Sequence, residues 1–218
     1  MTQSFGRAGA SARAEFERRR ARDEAERRAT FGRWAPLARV LAGPKQTTES
    51  WGRGAQGEEM LGPWLEWVVG DRGVLLHDLA LPRSRANLDH IAVVASGIWV
   101  IDSKHYRGRL ERRDRGGCFS HHTAFTVAGR DQRRNVTAAR RQQALVAEAV
   151  GAGPVVRAAL CYTGVHVSPF LRPFVLEGVL ITWPRALRRT LGRPGRLHAG
   201  GRQQAAEDLA RRFPPRAA

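Results

Sequence analysis

Residues 87–108 read NLDHIAVVASGIWVIDSKHYRG. Two short apolar runs, IAVV and IWVI, flank Ala95-Ser96-Gly97, and each carries an aspartate at its far end. Apolar runs of this length around a turn signal are the pattern of a β-hairpin. With Ser96-Gly97 as a two-residue turn, Ala95 faces Ile98, Ile91 faces Asp102 and Asp89 faces Lys104. Side chains alternate along a strand and directly opposed residues share a face, so this register places Asp89, Asp102 and Lys104 together within roughly 5 to 8 Å. A slip of one residue would scatter them to opposite faces.

Two carboxylates converging at a strand end repel one another unless a cation lies between them, and an oxygen-rich pair suits Mg²⁺ or Mn²⁺. The neighbouring lysine supplies a fixed positive charge that can orient water and offset charge on a phosphate. Only Lys45 and Lys104 are lysines among 37 basic residues. In a chain that uses arginine nearly everywhere, an ammonium at position 104 hints at a need for a compact point charge. The competing reading is that Asp102 and Lys104 merely cap the strand and pair with solvent.

The chain has 218 residues, 42% of them hydrophobic, enough for one sizeable domain with extensions. A net charge of +17 points to a polyanion partner, nucleic acid before any other. Two cysteines far apart, Cys118 and Cys161, fit a reducing compartment, and no apolar stretch has the length of a membrane span, so a cytoplasmic protein with no membrane association is expected. Residues 1–48 are expected to be a basic, helical or disordered extension and linker outside the folded core, because they contain few large apolar side chains. Residues 49–218 would form the domain.

Within it, residues 54–70 predict a helix burying Met60, Leu61, Trp64, Leu65 and Val68, with Pro63 early in it or kinking it. Strands are expected at GVLLHDLAL, the hairpin, GRLERR, FTVAG, VVRAALCYTGV and LEGVLIT. A long helix from Asp131 would bury Val136, Ala139, Leu145, Val146 and Ala149, and two helices end the sequence. This order describes an α/β protein, a mixed sheet flanked by helices.

At the hairpin the chain resembles the NERD, or nuclease-related, domain, a branch of the PD-(D/E)xK nuclease superfamily. The residues that carry the resemblance are Gly54 to Glu58, then Asn87-Leu88-Asp89-His90, then Gly97 through Lys104 with Gly108 beyond; it covers roughly residues 52–191. Leu88 stands where the superfamily name suggests proline. The resemblance implies a restriction-endonuclease-like core with Asp89 and Asp102 as metal ligands and Lys104 acting on the attacking water. It also implies that Glu58 contacts the metal directly or through water and that Gln132 contributes at the mouth of the long helix. Ser103 points its side chain to the other face, so only its backbone carbonyl could reach the metal. Glu59 rivals Glu58 for the helix carboxylate.

The resulting expectation is a Mg²⁺-dependent (or Mn²⁺-dependent) phosphodiesterase acting on DNA in preference to RNA, in DNA processing, repair or defence. Arg107, Arg109, Arg133, Arg134, Arg140 and Arg141 would form a basic rim for phosphates. One rival is a nuclease fold that binds nucleic acid without turnover. Another is an interaction protein that docks a larger assembly through its N-terminal helix. His90 reads more simply as a structural histidine than as a base, and Cys118, His121 and His122 fall short of a zinc-site spacing.

Overall fold

The computed structural model describes residues 3–31, 60–82, 84, 86–115 and 122–215. A nine-stranded mixed sheet runs in the order β1-β2-β3-β4-β7-β9-β8, with β5 (His122–Val127) pairing with β4 and β6 (Arg130–Asp131) pairing with β5. Its central hairpin is β3 (Asn87–Val94) and β4 (Gly97–Arg115), and β2 (Gly73–Ala80) lies antiparallel to β3. On the other side, β4 pairs parallel with β7 (Val156–Val167), and β7 with β9 (Val179–Thr182). The parallel pairings demand crossovers. These are supplied by the helix α3 (Arg133–Val150) and by β8 (Phe174–Leu176), which turns back antiparallel onto β9. The expected strand at LEGVLIT is therefore half of a hairpin, and the one at GRLERR is the continuation of β4.

Helices cover both faces. On one side, α2 (60–69) and α4 (Pro184–Leu191) bury Leu61, Leu65, Val68 and Leu187 against Leu75, Ala92, Trp99 and Ile101. On the other, α3 and α5 (Ala199–Arg212) bury Val136, Ala139, Val146 and Leu209 against alternate residues of the same strands, among them Ile91, Val100 and Leu160. Each fully buried aliphatic side chain contributes about 1.5 to 3 kcal/mol, and this two-sided burial explains why the strands read as continuous apolar runs. Met60 and Leu145, expected inside, are 59% and 42% exposed. Each sits at the margin of its helix's apolar stripe, where spacing alone does not decide which side a residue falls on.

The hairpin differs from expectation by two residues. Its turn is Ala95-Ser96, and the register pairs Gly97 with Val94, Ile91 with Val100 and His90 with Ile101. Gly97 is consumed as the first residue of β4 because β7 approaches it closely: at φ +124°, a Cβ there would lie 2.6 Å from the Val155 carbonyl oxygen. The neighbouring Ile98 N–H donates to that same oxygen at 3.0 Å. A shift of two preserves the parity of every side chain, so the three residues expected on one face stay there.

The N-terminal residues also depart from expectation. β1 (Gln3–Phe5) pairs parallel with β2, and α1 (Ala10–Phe31) begins against the sheet. Ser11 donates both its N–H and its hydroxyl to the buried Asp78 carboxylate, each at 2.6 Å, and Ala12 is buried. The expectation that residues 1–48 stay outside the core thus fails for residues 3–12. A buried carboxylate needs hydrogen-bond donors, and this segment supplies two of them. Beyond Ala12 the helix is a surface element laced by Arg–Glu pairs such as Arg13–Glu17 and Arg20–Glu24. The boundary expected at 48/49 lies outside the described residues.

Candidate active site

The β3–β4 pairing ends at His90–Ile101, and Asp89 and Asp102 are the next residue along each strand. Both are buried, and Lys104 follows two residues later on the same face. Asp89 Oδ2 accepts the Ser103 N–H at 2.8 Å, which ties the carboxylate of β3 to the backbone of β4. Lys104 Nζ forms an ion pair with Asp102 Oδ1. Burial by itself would push the Lys104 ammonium toward deprotonation. The charges of Asp102 and Asp89, with the hydrogen bond to Asp102, outweigh that and hold its pKa above the ordinary lysine range. In this arrangement Lys104 carries its proton.

The strand then bulges. His105 pairs with Thr163 and Gly108 with Val165, so β4 carries one residue more than β7 between these points. Gly108 closes the irregularity at φ +116°, where a Cβ would stand 2.6 Å from that of Ala128. The extra residue breaks the alternation, and Tyr106 and Arg107 are both exposed into the space beside Lys104. His105 is held by Thr163, its Nδ1 lying 3.0 Å from Oγ1.

Gln132 stands at the start of α3 and is buried. Both polar atoms of its amide are engaged: Nε2 donates to the Arg130 carbonyl at 2.9 Å, while Oε1 accepts from Asn135 Nδ2 at 2.7 Å and from the Tyr162 hydroxyl at 3.4 Å. Burial raises the Tyr162 pKa, so that hydroxyl keeps its proton.

These groups line a cleft of about 1290 Å³. Asp89, Asp102 and Lys104 form part of its lining, with Gln132, Arg107 and Arg134 of the residues expected from the sequence. Arg109, Arg133, Arg140 and Arg141 do not line it, and Arg140 pairs with Glu177 at 2.9 Å. Sequence reasoning missed Glu15, Arg18 and Arg19 of α1, and Tyr106, Arg130 and Asn135. For Tyr106 a signal existed, an aromatic residue between Lys104 and two arginines; for the α1 residues none did. Glu58 and Glu59 lie outside the described residues, as do Cys118, His121 and the side chain of His122. His90 turns to the other face, wholly buried, with its Nδ1 2.8 Å from that of His77.

The model of the nuclease-related domain family matches residues 53–169. The chain belongs to this family. The match spans α2, the β3–β4 hairpin, α3 and β7, and so takes in the aspartates, Lys104 and Gln132. A nuclease-related domain with a restriction-endonuclease-like fold agrees with the mixed sheet flanked by helices. No curated protein and no solved structure matches the chain significantly. Among the described residues, no helix is long and apolar enough to cross a membrane.

The donor set at the cleft fits a hard cation. Two carboxylates from adjacent strands meet there, and oxygen ligands of this kind suit Mg²⁺ or Mn²⁺. Among the described residues no third histidine, cysteine or acidic side chain joins them, so further ligation would fall to the Ser103 carbonyl, Glu58 and water.

Proposed function

We propose that this nuclease-related domain is a metal-dependent phosphodiesterase that cuts DNA. The observation that carries the reading is the convergence of Asp89, Asp102 and Lys104 in a cleft that also presents Arg18, Arg19, Arg107, Arg130 and Arg134. An acidic centre inside a basic rim attracts a phosphate chain while leaving room for a cation at the scissile bond.

Asp89 and Asp102 would hold Mg²⁺ or Mn²⁺, with the Ser103 carbonyl and Glu58 as further donors. Such an ion supplies Lewis-acid polarisation and lowers the pKa of a bound water. The chain's own groups do the rest. Lys104, kept protonated by Asp102, offsets negative charge that develops on the phosphoryl oxygens. The bond from Ser103 N–H fixes one oxygen of Asp89 and so orients the other. Gln132, locked by Asn135, Tyr162 and the Arg130 carbonyl, holds the start of α3 in place beside the aspartates. The setting this implies is DNA processing, repair or defence in the cytoplasm.

The test is incubation of purified protein with linear and circular duplex DNA, single-stranded DNA and RNA, with Mg²⁺, Mn²⁺ or EDTA. Metal-dependent cleavage of DNA that Asp102→Asn abolishes is the expected result. Binding without cleavage under every metal would leave an inactive binding module in its place, and cleavage confined to RNA would overturn the choice of DNA.

A further inference from the structure

The cleft has two walls contributed by distant parts of the chain. One consists of the bulge and the start of α3, with Tyr106, Arg107, Arg130, Arg134 and Asn135; the other is α1, with Glu15, Arg18 and Arg19. α1 is latched there through Asp78, which binds Ser11 twice and also accepts from Asn87 Nδ2 at 2.8 Å. Asn87 lies two residues before Asp89, so the latch sits beside the acidic centre. Asp78 holds this position at φ +51°, a left-handed conformation that aspartate tolerates better than most non-glycine residues. The Glu15 carboxylate gathers Arg18 at 3.1 Å and Arg19 at 2.7 Å, leaving two guanidiniums against one acid on this wall.

Tyr106 is 37% exposed and is the one Phe, Tyr or Trp among the described residues lining the cleft. Its ring leans on buried Tyr162, with centroids 5.9 Å apart. Asn135 Nδ2 approaches its hydroxyl at 3.4 Å. A supported, part-exposed aromatic beside basic groups is a stacking platform. Bases inside a duplex stack on each other and present no free face, whereas an unpaired base does. The cleft, of about 1290 Å³, has room for a few nucleotides of one strand.

We infer that the cleft takes a single unpaired nucleic-acid strand, its backbone between the α1 arginines and Arg107, Arg130 and Arg134, with a base stacked on Tyr106. α1 is thus a working wall of the site. The inference deepens the nuclease reading and rests on it for the class of polymer.

The experiment is fluorescence anisotropy of the whole chain in EDTA, so that nothing is cut, with a labelled DNA strand, the same strand as RNA, and its fully paired DNA duplex. A DNA or RNA strand should bind about tenfold more tightly than the duplex at equal salt, the order expected for one stacked base, and the two strand arms tell which sugar is preferred. Tyr106→Ala should remove about that tenfold for the strand and leave the duplex unchanged, while Tyr106→Phe keeps it. Replacing Arg18 and Arg19 together by alanine should flatten the dependence of log affinity on log salt by up to about 1.4, two single-strand phosphate contacts. Equal affinity for duplex and strand, or a Tyr106→Ala effect that is the same on both or absent from both, would overturn the inference. Cleavage of these polymers with Mg²⁺ separates it from the reading beneath. Strand-selective binding without cleavage sinks the nuclease and spares the cleft assignment; cleavage confined to duplex does the reverse.

Discussion

Acidification should destabilise this protein through His77. Its side chain is wholly buried between β3 and α2, with Nδ1 2.8 Å from His90 Nδ1 and Nε2 3.6 Å from Glu66 Oε1. Burial pushes its pKa down from 6.5 to about 4, against the opposing charge of Asp78. The folded protein therefore binds fewer protons than the unfolded chain in this window. The stability contributed by the neutral ring is complete above pH 6.5 and is lost as pH falls through about 4. A depression from 6.5 to about 4 corresponds to about 3 kcal/mol, a large share of a typical total of about 5 to 15. The assay is urea unfolding of the parent and of His77→Leu at pH 7.5 and pH 4. Carboxylates titrate in both proteins and cancel, and so does the greater part of the depression of His90, which burial imposes first and His77 second; the stability difference should move by up to about 3 kcal/mol in favour of the variant on acidification. The burial argument is wrong if parent and variant lose stability in parallel.

Asp102→Asn should abolish metal-dependent cleavage with the melting transition retained, whereas Lys104→Ala should lower turnover by about 10²- to 10³-fold while nucleic-acid binding in EDTA persists. Asp78→Ala leaves Ser11 and Asn87 without their acceptor and should cost about 3 to 5 kcal/mol in urea unfolding. Gly97→Ala sets a Cβ against the Val155 carbonyl at positive φ, so a loss of at least about 1 to 3 kcal/mol is expected from its unfolding midpoint. Ser103→Ala removes a buried hydroxyl that has no hydrogen-bond partner and keeps the N–H that serves Asp89; its midpoint should stay within about 0.5 kcal/mol of the parent's or rise.

The three polar residues of the hairpin were legible because parity, not exact register, decides which face they share. Gly97 looked like a turn residue. Its actual constraint is a close approach to Val155, more than fifty residues away, which no local pattern reveals. The same holds for α1: its link to Asp78 spans 67 residues, and a helix of alternating arginine and glutamate carries no apolar stripe to announce where it docks. Tyr106 was legible and went unread, since alternation from Asp102 and Lys104 carries it onto their face. Arg107 has the opposite parity and reaches the cleft only through the bulge, which depends on the pairing of β4 with β7. Of the arginines, the sequence showed how many there are and not which way each one points.

β2 is an apolar strand with one long side unclaimed by β3, and two short pieces of chain seal it. β1 pairs along Val74–Leu76, while farther on the Ala80 N–H donates to the Pro214 carbonyl at 2.9 Å and Leu79 bridges Pro215. An open strand of this kind is a template on which other molecules add, and proline, which has no N–H to offer, is a common guard against such growth. Trimming the protein to residue 49 onward, the cut that composition alone suggests, would strip half of that seal. The expected product is a fragment whose centre still folds yet which self-associates through β2, and whose insolubility would be mistaken for a broken core.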